Sequence, residues 1–417
     1  MVKIKKINDI TVIYEKLPYV KSISIGVWVK SGTCYEGRFS TGISHFTEHM
    51  LFKGTKKRTA KDIAEEFDRV GGYLNAFSSK EYTCYYARLI DEHLELAVEA
   101  LADITINSTF EPEELEKERE VVIEEIMMYE DNPDELVNDM INEIFWDKHP
   151  FGRNILGSIE SVNSITRDNM VDFVGEHYTA PNLIISIAGN FKEIEFKKLI
   201  AKYFSDISRK NTPKIIIPET FKSRKPVFIK KDIKQTHFCL ATTGPSQVNQ
   251  DKFAFGILSS ILGGGMSSRL FQKIREKFGL VYTIYSYTQS HANSGMFVVY
   301  FACNEKNTMK VIDLTMQEMI NIMKNTITKD ELIRGKEQLK GNIVLSLENT
   351  SARMRRQASS LIYYDRLIPI EEVVSSIDNV SIDDIVRVSE KYIDFKKMTF
   401  CAAGSQKIKF NEIRSNL

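Results

Sequence analysis

The chain has 417 residues, too many for one ordinary hydrophobic core and suited to two domains of about 200 residues each. Hydrophobic residues make up 43% and charged residues 27%, a globular composition that excludes a disordered or fibrous chain. Lys plus Arg (56) equals Asp plus Glu (56), so no general charge attraction to nucleic acid or to an anionic membrane is expected.

The opening MVKIKKINDITVIYEK meets a charged residue every few positions and contains no apolar core of signal-peptide length. No apolar run in the chain approaches the roughly 20 residues that span a bilayer. The five cysteines (Cys34, Cys84, Cys239, Cys303, Cys401) are scattered and never form a CxxC pair, which argues against a disulfide framework and a cysteine metal site. From these features a soluble protein of a reducing compartment, the cytoplasm, with no membrane partner is expected.

After an opening stretch of alternating strands, TGISHFTEHMLFKGT predicts a helix from about residue 44 to 53, with Ser44 as its cap. His45 and His49 stand four apart on it and point the same way, and Glu48 lies beside the same spot. Two neutral imidazoles on one turn are a natural pair of zinc ligands, and a nearby carboxylate can take a proton from bound water. The alternative is a core or solvated helix that happens to hold two histidines. KGTKKR (53–58) reads as a solvated turn.

The segment 111–130 predicts a second helix, with Pro112 in its first turn. Leu115, Val122 and Tyr129 mark its core-facing stripe, and Glu118 and Glu125 fall on that stripe, whereas Glu116, Glu120 and Glu124 point elsewhere. A buried carboxylate is costly unless it is paired or binds a metal, so Glu118 is either a metal-site group or half of a buried ion pair.

Further along, the chain repeats itself. The helix-and-strand segment 165–190 parallels 380–405, with Tyr178 against Tyr392 and Gly189 against Gly404, at offsets of 214 and 215. Segment 111–130 parallels 328–348 at an offset of 217, and 11–32 parallels 226–244 at 212. Four ordered pairs at nearly one offset indicate a duplicated unit. The expected organisation is an N-terminal domain over 1–207, a Pro-containing polar linker over 208–225 and a homologous C-terminal domain over 226–417. Each domain reads as an antiparallel β-sheet packed with helices, an α+β fold. By these offsets His45, Glu48, His49 and Glu125 correspond to Ile257, Ser260, Ile261 and Asn342, so the second copy has lost every metal-binding group.

HFTEH (45–49), followed 76 positions later by Glu125 within EREVVIEEI, resembles the pitrilysin (insulinase) family of zinc peptidases. GGYLNAFSSKEYTCYYAR (71–88) and LGGGMSSRLFQKIREKFGLVY (262–282) are similar to further family motifs, so the resemblance covers essentially the whole chain. It is strongest to the shorter, two-domain bacterial members related to the mitochondrial processing peptidase. The resemblance implies one Zn2+ per chain on His45, His49 and Glu125, with Glu48 as general base. It further implies that Glu118 steadies the ligand shell, that Glu81 stands behind a zinc ligand, and that Asn75 and Ala76 lie beside an extended peptide substrate. Arg275 and Tyr282 would stabilise the oxyanion from the partner subunit of a homodimer. From the residues alone that pair reads equally as a surface Arg and a core Tyr. The implied activity is a zinc endopeptidase acting on unfolded peptides or flexible segments. The competing class is a non-catalytic scaffold or assembly subunit of the same superfamily.

Overall fold

The computed structural model describes residues 2–213, 215–217, 225–324, 326–408, 410 and 413. The first repeat opens with β1 (Val2–Ile7), β2 (Ile10–Lys16), β3 (Ser22–Val29), α1 (Ile43–Met50) and α2 (Ala60–Arg69). It continues with β4 (Tyr73–Ser78), β5 (Thr83–Ile90), α3 (Leu94–Asn107), α4 (Pro112–Asp131) and α5 (Pro133–Trp146). It closes with α6 (Ile159–Ser164), α7 (Arg167–His177), β6 (Leu183–Gly189) and α8 (Glu193–Tyr203). The second repeat begins with β7 (Val227–Lys230), β8 (Thr236–Gly244), α9 (Asp251–Gly263), β9 (Val281–Ser290) and β10 (Gly295–Cys303). Then come α10 (Thr308–Met323), α11 (Lys329–Ser346), α12 (Thr350–Tyr364), α13 (Ile370–Asp378), α14 (Ile382–Tyr392) and β11 (Thr399–Gly404). Positions 214 and 218–224 of the expected 208–225 linker lie outside the described residues.

The duplication is visible in the strand order. One sheet runs β1-β2-β6-β3-β5-β4 and the other β7-β11-β8-β10-β9, which is the same order once β1 is set aside. The α+β architecture of two sheets packed with helices is as expected. Each sheet adds one parallel pair to its antiparallel neighbours, β2 with β6 and β7 with β11. Periodicity within a strand carries no information about its neighbour's direction, so these pairs had no signal in the sequence.

The two compact units do not follow the repeats as contiguous stretches. One unit comprises Met1–Met128, Arg153–Ile217 and Ser346–Leu367, and the other Tyr129–Gly152, Pro218–Leu345 and Ile368–Leu417. The repeats therefore exchange equivalent helices: α5 belongs to the unit of the second sheet, and α12 to the unit of the first.

Within the first unit, α12 covers one face of the sheet. Met354 and Ala358 pack with Trp28, Cys84, Ile184 and Ala188. A Cβ at Gly26 would sit 2.8 Å from Met354 Sδ, so the bare backbone of β3 is what admits this helix. The buried hydroxyl of Ser24 meets Thr350 Oγ1 and Ser351 Oγ, each at 2.8 Å. The opposite face carries α1, α3 and α7. Alternation along β4 and β5 turns Ser78 and Tyr85 that way, and Tyr85 bonds Tyr178 hydroxyl to hydroxyl at 2.7 Å.

In the second unit α5 covers the sheet in the same manner. Its Val137 carbonyl accepts from Cys401 Sγ, and its Asn138 Oδ1 accepts from Tyr287 Oη at 2.6 Å. A continuous core then forms from α9, α10 and α14 against β8, β10 and β11. All five cysteines are buried and free. Among the described residues no helix is long and apolar enough to cross a membrane.

Candidate metal centre

The site lies in the first unit and starts from how α1 is held. Gly42 precedes the helix at φ 93°, a left-handed conformation, and a Cβ there would stand 2.5 Å from the Leu156 carbonyl oxygen. Ser44 is not the cap that was expected. It is buried within the helix, and Glu36 Oε1 instead accepts from the backbone N–H groups of Gly42 and Ser44 at 3.1 and 3.2 Å. This acceptor satisfies amides that the start of a helix leaves without intrahelical partners. Ile43, Phe46 and Met50 are fully buried and fix the helix's rotation, which leaves His45, Glu48 and His49 together beside α4.

The two imidazole rings stand 4.5 Å apart between centroids. Glu125 Oε2 is 3.7 Å from His45 Nε2 and 3.6 Å from His49 Nε2, and one ligand atom from each residue falls within a 4.8 Å cluster. Ligands at about 2.1 Å from a tetrahedral ion lie about 3.4 Å from one another, so the observed spacing matches a divalent-metal cage. Among the described residues this is the one such group of three. His45 is held neutral, its pKa pushed down to about 3 by burial and by the adjacent His49.

Glu118, left open by the sequence, both takes part in an ion pair and bonds His49 of the candidate site. Its Oε1 is 2.8 Å from His49 Nδ1, and its Oε2 forms an ion pair with Lys53 Nζ at 2.6 Å. Against the penalty of burial, these two partners hold the Glu118 carboxyl below its usual range. His49 in turn is raised: burial lowers it, but Glu118, Glu48 and Glu125 outweigh that. Three carboxyl groups thus surround the His49 ring.

Glu48 is buried and its Oε2 accepts a 2.6 Å hydrogen bond from Ser78 Oγ on β4. Burial raises its pKa; the Ser78 bond and His49 pull the other way, and Glu125 adds to the rise. β4 is an edge strand, paired among the described residues with β5 alone. Asn75 and Ala76 lie on it, the Ala76 N–H donating to Asn75 Oδ1 at 2.7 Å, and Asn75 also meets the Tyr73 hydroxyl.

Glu81 occupies a different position from the one expected of it. Its Oε2 accepts from Tyr363 Oη of α12 at 2.8 Å, while His45 Nδ1 is buried without a partner, so Glu81 does not back that ring. KGTKKR is likewise more than a solvated turn. Arg58 is buried and ion-paired to Glu66 and Asp103, both at 2.9 Å. Lys53, Ser78 and Glu36 were missed as site residues. Lys53 alone carried a signal, standing four positions after His49 at the end of the helix the sequence predicts over 44–53.

Arg275 and Tyr282 belong to the second unit, where the structure brings them together. The guanidinium lies 5.5 Å from the Tyr282 ring centroid, and Tyr282 is 76% exposed rather than a core residue. In the same unit the counterpart of the metal site is closed by packing. Ile257 and Ile261, which replace the histidines, are buried on α9. Gly335 stands where the repeat would place Glu118, and a Cβ on it would lie 2.9 Å from Ile257 Cγ2. The helices have come together through the space the site would need.

Comparison with known proteins now adds its findings. Residues 11–159 match the family described as Insulinase (Peptidase family M16), and residues 164–339 match the Peptidase M16 inactive domain. The chain is 38% identical over 378 residues to the uncharacterized zinc protease YmxG of Bacillus subtilis (strain 168), covering 91% of this chain and 92% of the relative. The chain belongs to peptidase family M16. An uncharacterized zinc protease of Rickettsia felis is 36% identical over 385 residues, with 92% and 93% of the two chains covered. Among solved structures, the fold matches a peptidase M16 inactive domain from Pseudomonas fluorescens with TM-score 0.89 at 20% identity, over 98% of this chain and 99% of that one. A protease from Helicobacter pylori matches with TM-score 0.88 at 23% identity, over 97% and 99%. For this M16 member, the "inactive" description of the second half agrees with the packed-out counterpart around Gly335.

Proposed function

We propose that this chain is a zinc-dependent endopeptidase of the cytoplasm that cleaves unfolded peptides or flexible segments. One zinc per chain would be held by His45, His49 and Glu125. The observation that carries this reading is the convergence of those three ligand atoms beside a carboxylate, Glu48, that is not among them. When bound, zinc acts as a Lewis acid that lowers the pKa of water and polarises a carbonyl.

The chain's own residues supply the rest. Glu48 takes the proton of the attacking water and returns it to the leaving amine. Its burial keeps its pKa high enough to do both, and Ser78 holds it in place. The substrate adds itself as an extended strand to the free edge of β4, past Asn75 and Ala76, which a folded domain cannot do. Arg275 and Tyr282 of the partner subunit in a homodimer donate hydrogen bonds to the oxyanion. Their mutual stacking supports this, because it presents a cation and a phenol side by side.

The test is metal analysis joined to digestion of a mixed peptide library, with and without chelator. The expected result is about one zinc per chain and internal cleavages that vanish with chelator and return with added zinc. A dimeric, zinc-loaded protein that cleaves no peptide of the library would favour the scaffold alternative.

A further inference from the structure

We propose that Lys53 is a positioning residue of the metal site, acting through Glu118 on His49. The inference rests on the zinc reading above and extends it to a residue in the loop that follows α1. Its basis is an ion pair joined to a hydrogen bond, Lys53 Nζ with Glu118 Oε2 at 2.6 Å and Glu118 Oε1 with His49 Nδ1 at 2.8 Å.

Each Glu118 oxygen has one partner, so the carboxylate cannot rotate without giving up a bond. An ionised carboxylate has no proton to give, so His49 Nδ1 is the donor in the second bond. Nε2 of the same ring then carries the lone pair, and it is Nε2 that stands 3.6 Å from Glu125 Oε2. Ring orientation and tautomer are both set by a group that does not touch the metal, as outer partners of metal-bound imidazoles do. Without Lys53, Glu118 Oε2 would lose its donor in a place where Glu118 is almost fully buried, and the carboxylate would be free to turn.

The sign of the effect separates positioning from simple charge. A lysine this close to a dication repels it, so removing the charge alone would tighten metal binding. A loss of affinity therefore runs opposite to the lysine's direct effect on the ion and points to Glu118 and His49, the groups that Lys53 holds. Lys53 also borders an open cavity of about 470 Å³ lined by the 53–59 loop, the first turn of α2 and the start of α4.

The experiment is a double-mutant cycle on zinc affinity, read by competition with a chromogenic chelator on the full-length protein. Lys53→Met should weaken zinc binding about 10-fold or more in the wild-type background and less than about 2-fold in Glu118→Ala. Lys53→Arg should stay within about 3-fold of wild type. If Lys53→Met does not fold, judged by thermal unfolding of the metal-free protein, Lys53→Gln carries the same cycle. Unchanged or tighter zinc binding in the charge-removing variant would overturn the proposal, as would equal losses in both backgrounds or in Met and Arg. A wild-type protein that binds no zinc would instead overturn the metal assignment itself, so the two failures are distinguishable.

Discussion

Ser78 Oγ donates a 2.6 Å hydrogen bond to Glu48 Oε2, tying the carboxylate on α1 to the edge strand β4. Burial pushes the Glu48 pKa up, and this bond is the first of the influences that restrain the rise. Ser78→Ala removes the restraint, so the carboxyl should titrate at a still higher pH. A general base must be ionised to accept a proton, so the acidic limb of the kcat/KM profile should move upward, by about one pH unit or more. At alkaline pH the variant should approach wild-type activity. An acidic limb that stays where it is would detach Ser78 from the base.

Glu36 makes a stability prediction. It is fully buried, and its pKa is pushed up to about 8 by that burial, against the hydrogen bonds from Ser44 and Gly42 and the more distant Arg153. The unfolded chain titrates this group near the ordinary glutamate value of about 4.3. Between the two values the folded state holds the proton and the unfolded state has released it, so this contribution to stability falls as pH rises through the window and levels off above it. Its upper bound is on the order of 5 kcal/mol. Glu36→Gln keeps an acceptor for the two amides and cannot ionise. Its Tm should therefore gain on that of wild type as pH is raised from about 5 to about 8. Parallel Tm curves for the two proteins would contradict the assignment.

The ligands and the base should separate cleanly on metal content. His49→Ala and Glu125→Gln should lose bound zinc after dialysis, because two protein ligands hold an ion far less well than three. Glu48→Gln should retain zinc while peptide cleavage falls by about 10²-fold or more. Zinc retained at wild-type affinity in His49→Ala would remove it from the ligand set.

How far the sequence foretold the site depended on how local each contact is. His45, Glu48 and His49 lie within one helical turn and a half, so their grouping could be read from spacing; Glu118 and Glu125 both stood on the predicted buried stripe, and it was the family resemblance that singled out Glu125 as the third ligand. Lys53 was set aside as part of a basic turn because charge runs are usually solvated, and here one member is drawn to a buried carboxylate. Ser44 has the residue type of a cap, but the loop after Gly32 places Glu36 against the amides first. Glu81 was expected behind a ligand, yet its partner Tyr363 is 282 positions away on a helix from the other repeat. The exchange of α5 and α12 between the two units left no mark on either helix, because an amphipathic face specifies burial without specifying against what.

The origin of Arg275 and Tyr282 in the working enzyme can be decided by complementation. His49→Ala abolishes the metal site but leaves the second unit intact; Arg275→Ala does the reverse. If the pair acts across a homodimer, mixing the two inactive chains under conditions that exchange subunits produces one dimer arrangement with a complete site. A random mixture contains half mixed dimers, each with one competent site of two, so activity should return to about a quarter of wild type. If the pair acts within its own chain, every chain in the mixture lacks an essential group and no activity appears. Mixed dimers verified by differential tagging and found inactive would therefore place Arg275 and Tyr282 in cis. The Arg275–Tyr282 stacking would survive that result, since it is a contact inside the second unit, but its partner-subunit role would not.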